Sequence, residues 1–415
     1  MNRADRPGHS AWSVLRIRGF RWYFAGAVCS DLGTWVQNTA QVLLAYHITH
    51  SVMTVALVSC AQFTSPLVLG PWAGVLADRF GGRRTLLWTE FGSAVIAGVM
   101  AYLALSGQLD ETWLIIGAIA IGLAFTFALP ARNVTVRRLV TAQETRAGYA
   151  MDSVSYNLGR AIGPPAGIAL IATVGAGWAF AVNAASFLIF TITLWFTVHG
   201  TAEAAPRRSR VRDGFVVAYR DRRILIVLLM VVAVTVAADP VLVLGPALAS
   251  HVFGVSATWS GLFIAALGTG SVVGSLVPLR SEPSIRLAAT ALSSLGVCMV
   301  IFVLAPSVLV SVMAAAAAGV TCLLANSVTR AVLSTEAGPC REASVMAIWA
   351  IAWAGSKPVA SLADGFLATG IGVRWTGVLL AIPVFIPILV LATRDWLSRS
   401  AAMPPKDSQL VPHGR

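Results

Sequence analysis

Residues 112–131 read TWLIIGAIAIGLAFTFALPA, and residues 132–138, RNVTVRR, follow directly. Twenty or so mostly apolar residues are the length an α-helix needs to cross the hydrocarbon core of a bilayer. Arginines clustered after such a run are typical of the cytoplasmic end of a span. The pattern recurs on both sides of this stretch, which predicts twelve spans near residues 21–47, 52–76, 85–105, 112–131, 148–172, 177–198, 224–250, 257–279, 287–305, 307–329, 342–368 and 374–394.

The composition of the chain agrees with a membrane protein. Of 415 residues, 57% are hydrophobic and 12% are charged, and the mean hydropathy is +0.77. Soluble proteins carry about 25% charged residues, so this chain has too much apolar side chain to hide from water. A soluble enzyme, a nucleic-acid-binding domain and a disordered protein are therefore excluded. The five cysteines lie in apolar runs or in a basic loop, which indicates no disulfide framework.

Basic residues test the helix count independently. With the N-terminus on the cytoplasmic side, nearly all of the 30 Lys and Arg residues fall in inner segments, and Arg374 falls in an outer loop. A wrong count would scramble this alternation, so we predict a multi-pass protein of the inner cell membrane with both termini cytoplasmic and no signal peptide. The predicted domains are a cytoplasmic tail (1–20), a six-helix bundle (21–198), a basic cytoplasmic linker (199–223), a second six-helix bundle (224–394) and a cytoplasmic tail (395–415).

The two halves of the chain repeat each other. The echoes include Gly70-x3-Gly74 with Gly270-x3-Gly274, and Asn133-x3-Arg137 with Asn326-x3-Arg330. Their similar offsets make chance an unsatisfactory explanation. We therefore predict an all-α integral membrane fold with 12 transmembrane helices in two pseudo-symmetric six-helix bundles. Secondary transporters share this architecture and bind substrate near the midplane, between the halves.

The loop after span two carries a recognisable motif. Residues 74–84 read GVLADRFGGRR, which resembles the loop signature of the major facilitator superfamily, G-x-L-x-D-R-x-G-R-R, with one extra glycine. Pro278 stands where the second half would carry the aspartate, so the loop is expected to act asymmetrically. The alternative is a plain turn with arginines at the inner face. The resemblance implies a gating role, and it assigns that role to Gly74, Asp78, Arg79, Arg83 and Arg84.

Span five contains Gly159-x3-Gly163-Pro164-x2-Gly167. Glycines four apart allow close helix contact, and Pro164 removes a backbone hydrogen bond and permits a bend. The motif resembles the Gly-Pro motif of superfamily exporters that work by antiport. Together with residues 130–132 it resembles the branch that includes the enterobactin exporter and related secretion carriers. The alternative is small-residue packing without a role in transport.

Span one carries a polar face. Asp31, Thr34, Asn38 and Gln41 follow each other at helical spacing, with Trp35 beside them. Polar groups at mid-depth are tolerated where they face protein or a water-filled cavity. The resemblance implies that span one lines the central cavity, which would place this face there. The alternative is a hydrogen-bonded cluster that only holds helices together.

Asp239 lies in span seven, the counterpart of span one in the second half. Asp31 and Asp239 could therefore face each other across a shared cavity. A carboxylate withdrawn from water can hold a proton at neutral pH and release it on hydration, which is the chemistry that proton coupling needs. The alternative for Asp239 is a capping role at the helix break that Pro240 would cause.

Further charges lie inside predicted spans. Arg160 in span five could bind an anionic group of the substrate or form a structural ion pair with a carboxylate. Lys357 and Asp364 share one face of span eleven and admit the same two interpretations. Glu90 in span three is expected at the membrane interface.

The sequence therefore predicts a secondary active transporter that exports small amphipathic molecules, such as a drug, a siderophore or another metabolite, by proton antiport with alternating access. The export direction rests on the resemblance at Gly163 and Pro164, and the proton coupling rests on Asp31 and Asp239. An importer or facilitator of a small nutrient is the alternative. A polytopic membrane enzyme or a receptor fits less well, because the outer loops and the tails are short.

No enzymatic activity, catalytic residue, metal or cofactor is predicted. His47 and His50 lack a third ligand nearby, and the chain contains no P-loop. The expected partners are the lipid bilayer, a small-molecule substrate and protons. Nucleic acid is not expected as a partner, and we predict a monomer.

Overall fold

The structure is a computed structural model that describes residues 11–141, 143–197, 219, 221–276 and 282–401. These residues are helical, and no β-strand occurs among them. Most of the predicted linker at 199–223 and of the two predicted tails lies outside the described residues. The predicted domain boundaries therefore stay predictions.

Six long helices follow a short 3-10 helix, Ala11–Arg16, in the N-terminal half of the chain. Polar residues begin several of the helices of the protein, because their side chains accept hydrogen bonds from backbone N–H groups that have no partner within the helix. Asp110, for example, accepts a 2.9 Å hydrogen bond from the backbone nitrogen of Trp113. The six helices are α1 (Arg18–Thr49), α2 (Val52–Phe80), α3 (Gly82–Leu105), α4 (Glu111–Leu139), α5 (Thr145–Val174) and α6 (Ala176–Phe196).

The C-terminal half is less regular. Its first helix ends just before Asp239 and Pro240, and short helical segments continue it at Pro240–Val243, Gly245–Ala247 and Leu248–Val252. The interruption agrees with the break expected from the proline. The helices of this half are α7 (Arg222–Ala238), α8 (Ser260–Leu276), α9 (Ile285–Leu304), α10 (Val308–Ile371), α11 (Val373–Ala381) and α12 (Ile386–Ala401), with a 3-10 turn, Ile382–Phe385, between the last two.

Helix α10 is 64 residues long and covers two predicted spans, ten and eleven. In a straight helix Arg330 and Trp349 would lie about 28 Å apart, yet the Arg330 guanidinium is 5.1 Å from the Trp349 ring. The chain therefore folds back between them, and helical turns occupy the predicted connecting loop. We call residues 308–337 the first limb of α10 and residues 345–371 the second limb.

Nine helical segments among the described residues are long and apolar enough to cross a membrane. Helices α1 and α5 and the second limb of α10 are not among them, although each is long enough. These three carry the polar and charged residues described below, which lowers their hydropathy. Counting them gives the twelve crossings expected from the sequence.

Corresponding helices pack alike in the two halves. Gly122 of α4 lies against the backbone carbonyl of Gln62 in α2, and Gly319 of α10 lies against that of Leu267 in α8. Neither glycine leaves room for a side chain, so both pairs of helices are in backbone contact. The glycines that repeat between the two halves do not all make helix contacts: Gly270 packs on Ala316, whereas Gly70 has open space around it.

The two halves meet toward one end of the bundle. We call the end that carries residues 81–84 the basic end and the end that carries residues 49–52 the opposite end. At the opposite end, the Tyr46 hydroxyl lies 2.8 Å from Ser250 Oγ and 3.2 Å from His251 Nε2. Close by, Gly365 of the second limb packs against Ala56 of α2.

Nearer mid-depth the halves are still in contact, through Gly268 of α8 against the Arg160 backbone and Gly355 against the Leu67 side chain. Beyond Leu67, α2 exposes Trp72 and Phe80 toward the basic end. The two halves are therefore in contact with each other at the opposite end and at mid-depth.

Candidate functional site

Asp31 is the centre of a buried ionic network in the N-terminal half. Its two carboxylate oxygens accept hydrogen bonds from Arg132 of α4, at 2.8 Å from Nη1 and 3.0 Å from Nη2. Ser155 of α5 donates a further hydrogen bond to the same carboxylate. Asp31 is 5% exposed and Arg132 is 9% exposed. This bidentate geometry is the strong form of an ion pair and requires the planar guanidinium of arginine.

Arg132 also holds a second carboxylate. Its Nη2 donates to Asp152 Oδ1 of α5 at 2.9 Å, and the Tyr23 hydroxyl donates to the same oxygen at 2.6 Å. Ser30, next to Asp31, donates a 3.2 Å hydrogen bond to Glu90 of α3. Glu90 is buried within the protein, and its expected place at the membrane interface stays a prediction.

We call Asp31, Glu90, Asp152 and Arg132 the carboxylate network. Arg132 binds two of these carboxylates directly, and Glu90 is joined to them through Ser30, the neighbour of Asp31. Because unpaired buried charge is costly, such a cluster is most stable when it also holds protons.

The glycines of span five face α1. A side chain at Gly159 would collide with the Asp31 backbone, one at Gly163 with Trp35, and one at Gly167 with the Val36 backbone. This glycine stripe lets α1 and α5 run in parallel at backbone contact. Helix α5 continues without interruption through Pro164. The stripe thus brings Asp31 next to Ser155, and the proposed bending role of Pro164 stays a prediction.

A cavity lies between the two halves, above the carboxylate network in the direction of the opposite end. It has about 40 Å³ for the centres of water molecules, which is room for about three waters. In this conformation it is too small for a drug-sized molecule. Its lining residues are Trp35, Asn38, Gln41, Val42, Val58, Ser59, Gln62, Phe63, Tyr156, Leu242 and Lys357.

Lys357 of the C-terminal half lines this cavity, and Arg160 of the N-terminal half contacts the lining residue Trp35. The Arg160 guanidinium of α5 lies 5.7 Å from the Trp35 ring centre. The Lys357 ammonium of the second limb lies 4.0 Å from the Phe63 ring centre and 5.3 Å from that of Trp353. Aromatic faces attract such cations, but they do not neutralise them.

The C-terminal half has its own carboxyl pair. Asp239 accepts a 2.5 Å hydrogen bond from Ser361 of the second limb. Asp364, one turn further along that limb, is fully buried, and the charge of Asp239 acts on it. Within the described residues neither Asp364 oxygen has a hydrogen-bond donor. Two adjacent buried carboxylates repel each other when both are ionised.

The structure places part of the predicted polar face at the cavity. Trp35, Asn38 and Gln41 line it, with Asn38 accepting a 3.3 Å hydrogen bond from Gln62. Thr34 is half-buried and is not among the lining residues.

Asp31 and Asp239, which the sequence placed on opposite sides of one cavity, are not brought together. Neither belongs to the cavity lining. Asp31 is turned toward Arg132, and Asp239 toward Ser361. The expectation of two carboxylates facing each other is therefore corrected, because each is bound within its own half.

The structure describes the predicted gating loop in part. The side chains of Gly74 and Asp78 lie outside the described residues, and Arg79 and Arg84 are exposed. Arg83 donates 3.0 Å hydrogen bonds to the backbone carbonyls of Leu194 and Trp195 at the end of α6. A cation on the last carbonyls of a helix stabilises that helix end.

Sequence reasoning missed Arg132 as a site residue. It follows the apolar run directly and was assigned to the arginines of the cytoplasmic end, but α4 continues to Leu139 and carries Arg132 into the bundle. Asp152 inside span five was the available signal, since a buried carboxylate needs a cation. No group of three His, Cys, Asp or Glu side chains in the described ranges has the geometry to hold a metal ion.

A family described as "Transmembrane secretion effector" matches the chain over residues 9–410. The chain belongs to this family, which is part of the major facilitator superfamily. Its members and its fold are those of membrane transporters rather than enzymes.

The chain is similar in sequence to two curated transporters of this kind. It is 23% identical over 264 residues to the staphyloferrin A transporter of Staphylococcus aureus, covering 62% of this chain and 66% of that protein. It is 26% identical over 192 residues to MdtD of Escherichia coli, which is named as a multidrug resistance protein, covering 46% of this chain and 38% of that protein. The matches thus span less than two thirds of either relative.

A solved structure of a bacterial homologue of the human lysosomal transporter Spinster, inward-facing and occupied, has the same fold. The TM-score is 0.72 at 14% identity, covering 95% of this chain and 99% of that one. The predicted all-α fold with two six-helix bundles is thereby confirmed.

Proposed function

We propose that this protein exports small amphipathic molecules by proton antiport, with alternating access to a site between its two halves. The observation that carries the proposal is the carboxylate network, in which Arg132 binds Asp31 and Asp152 and a third carboxyl group, Glu90, is buried beside them. The family description supports export, and two relatives, named as a staphyloferrin A transporter and a multidrug resistance protein, support a small-molecule substrate.

The network couples proton uptake to helix movement. When a proton neutralises Asp31, the attraction between Asp31 and Arg132 weakens and Arg132 keeps Asp152 as its remaining anion. Asp31 is on α1, Arg132 on α4 and Asp152 on α5, so the change alters how three helices of one half are held together. The glycine stripe transmits it to Trp35, which lines the cavity.

The conformation described here is closed at the opposite end. With both termini cytoplasmic, as the arginine distribution predicts, the site would open to the cytoplasm from this state. Substrate would enter there, because an exporter collects its substrate from the cytoplasm. Release would require the contacts at Tyr46 and Gly365 to part.

The test is transport by the purified full chain in proteoliposomes that are acidic inside. The probes are two permanently charged naphthalenes, naphthalene-2-sulfonate and trimethyl(2-naphthyl)ammonium, which do not redistribute across a pH gradient as weak acids or bases do. We expect at least one probe to accumulate, and an uncoupler to abolish the accumulation.

Asp31→Asn is expected to abolish gradient-driven accumulation while labelled probe still exchanges for unlabelled probe, because asparagine cannot take up the proton. Asp110→Asn is the matched control, since Asp110 is exposed and asparagine caps a helix as well as aspartate does. Unchanged accumulation in Asp31→Asn would remove Asp31 from the coupling. If an uncoupler had no effect on the wild-type chain, a facilitator would be favoured instead.

A further inference from the structure

The cavity between the halves is unusual in its charge. Among the described residues that line it, Lys357 carries a charge and no other lysine, arginine, aspartate or glutamate is present. Arg160 adds a second cation beside it, over Trp35. The remaining lining is aromatic, aliphatic and uncharged polar, with Trp35, Phe63 and Tyr156 as its aromatic members.

Among the described residues, no carboxylate forms a salt bridge with Arg160. Its Nε is buried and has no hydrogen-bond acceptor within the described part of the chain. Asp31 and Asp152 of the same half are already bound to Arg132. Nε1 of Trp35, a residue that lines the cavity, is a second buried donor without an acceptor in the described residues. Two buried donors of this kind normally belong to a group that accepts hydrogen bonds from them.

Lys357 is also incompletely compensated. The charge of Asp239 acts on it, and so does the like charge of Arg160. Asp239, however, receives its hydrogen bond from Ser361, and no salt bridge joins it to Lys357 in the described ranges. The ammonium instead rests on the Phe63 and Trp353 rings.

We propose that the cavity binds an organic anion, with its charged group between Arg160 and Lys357 and its apolar body on the aromatic wall. The proposal rests on the proposed function and names the substrate class for that site. An anion would accept hydrogen bonds from Arg160 Nε and Trp35 Nε1, for which the described residues offer no acceptor. A cationic drug would meet two like charges in a poorly hydrated space, where repulsion is strong.

The position of the two cations also gives the anion a mechanical effect. Arg160 belongs to the N-terminal half and Lys357 to the C-terminal half, so their mutual repulsion pushes the halves apart across the cavity. A bound anion would replace this repulsion by two attractions. Substrate binding would therefore favour closure of the halves around the site.

The experiment is calorimetric titration of the purified full chain in detergent with naphthalene-2-sulfonate and with trimethyl(2-naphthyl)ammonium. The two probes share an aromatic body and differ in the sign of their charge. We expect the sulfonate to bind about tenfold or more tightly than the ammonium, as loss of a charge-assisted hydrogen bond would imply. Equal affinities, tighter binding of the ammonium, or no binding of the sulfonate would overturn the proposal.

Variants assign the effect to the two cations. Arg160→Gln and Lys357→Gln should each weaken sulfonate binding by about tenfold or more, and Lys357→Arg should restore most of it. Arg223→Gln removes a cation from the surface, where the Arg223 side chain is 70% exposed, and should change nothing. If both cavity variants bind the sulfonate as the wild-type chain does, the cations have only a structural role.

If Arg160→Gln or Lys357→Gln folds poorly, Lys357→Glu provides a second test of the proposal. This substitution should reverse the preference and admit the ammonium probe, a gain that misfolding cannot produce. The proteoliposome assay separates the two proposals. Gradient-driven transport of the ammonium probe alone would support proton antiport and refute the anion site. Binding of the sulfonate without gradient-driven transport would support the anion site and refute proton antiport.

Discussion

At the scale of single residues, Arg132 determines how the N-terminal half is held together. It binds Asp31 of α1 with both carboxylate oxygens and Asp152 of α5 with a third hydrogen bond. Its ring contact with Phe190 adds packing from α6, at 6.0 Å between guanidinium and ring centre. One side chain therefore joins four helices, and it does so through the only planar cation that can serve two carboxylates at once.

Removing this guanidinium should destabilise the protein strongly. Arg132→Gln leaves buried carboxylates without a cation, and breaking a buried pair in this way costs about 3–5 kcal/mol. Arg132→Lys keeps the charge but loses the bidentate geometry, so its loss should be intermediate. Thermal unfolding followed by tryptophan fluorescence in detergent measures both.

Arg223→Gln provides the control for that series. Arg223 forms a 3.3 Å ion pair with Glu336 on the surface. Such exposed pairs contribute at most about 1 kcal/mol to the free energy of unfolding. If Arg132→Gln and Arg223→Gln lowered the unfolding temperature equally, the carboxylate network would not be a main stabilising feature.

At the scale of helices, the α1–α5 contact places the polar residues. Gly159 and Gly163 let the backbones meet, which brings Ser155 to Asp31 and aligns Tyr156 with Trp35. The ring centres of Tyr156 and Trp35 lie 5.8 Å apart in an edge-to-face arrangement. The glycine stripe therefore sets both the carboxylate network and one wall of the cavity.

Gly159→Ala should disrupt this contact although it adds only a methyl group. The new Cβ would lie 2.7 Å from the backbone carbon and oxygen of Asp31, which cannot move aside as a side chain can. Such overpacking costs about 1–3 kcal/mol, so the unfolding temperature should fall and proton-driven transport should weaken.

Gly98→Ala in α3 is the matched control. Nothing lies within 4 Å of a Cβ at Gly98, so alanine there should be neutral or should stabilise the helix by roughly 0.5–1 kcal/mol. A Gly159→Ala variant as stable and as active as Gly98→Ala would show that α1 and α5 need not be in backbone contact.

At the scale of the whole molecule, the two halves are in contact at the opposite end and at mid-depth. The contacts of Tyr46 with Ser250 and of Gly365 with Ala56 hold the opposite end closed. Alternating access requires these contacts to separate in every transport cycle. The cavity beside them is small here because the halves are in contact down to Gly268 and Gly355.

A disulfide across this contact should stop transport. A Cβ on residue 365 would lie 2.6 Å from the Ala56 Cβ, so a slight shift reaches the roughly 3.5–4.5 Å that a disulfide needs. In a chain whose native cysteines are replaced by serine, Ala56→Cys with Gly365→Cys should lose probe transport on oxidation and regain it on reduction.

Each single cysteine variant serves as the control and should transport under both conditions. Complete cross-linking with unchanged transport would show that the opposite end does not open during the cycle. The extent of cross-linking can be followed by the mobility of the protein in a denaturing gel without reductant.

The sequence alone determined the elements that depend on local composition. Hydropathy placed the spans, the alternating arginines fixed their number, and the spacing from Asp31 to Gln41 predicted a polar face on α1. These properties are local, because partition into lipid acts on each helix separately. The sequence did not predict the helical turns that join the two limbs of α10. Charged residues lower the hydropathy of that segment but do not prevent it from being helical.

Only the tertiary structure decided which charges meet. It paired Asp31 with Arg132 and separated it from Asp239, and it placed Arg160 and Lys357 on either side of one cavity although they lie far apart in the chain. Electrostatic energy depends on the distance and the medium between groups, and neither quantity can be read from spacing along the sequence. The chemistry of the site therefore arises from helix packing, whereas the membrane fold arises from composition.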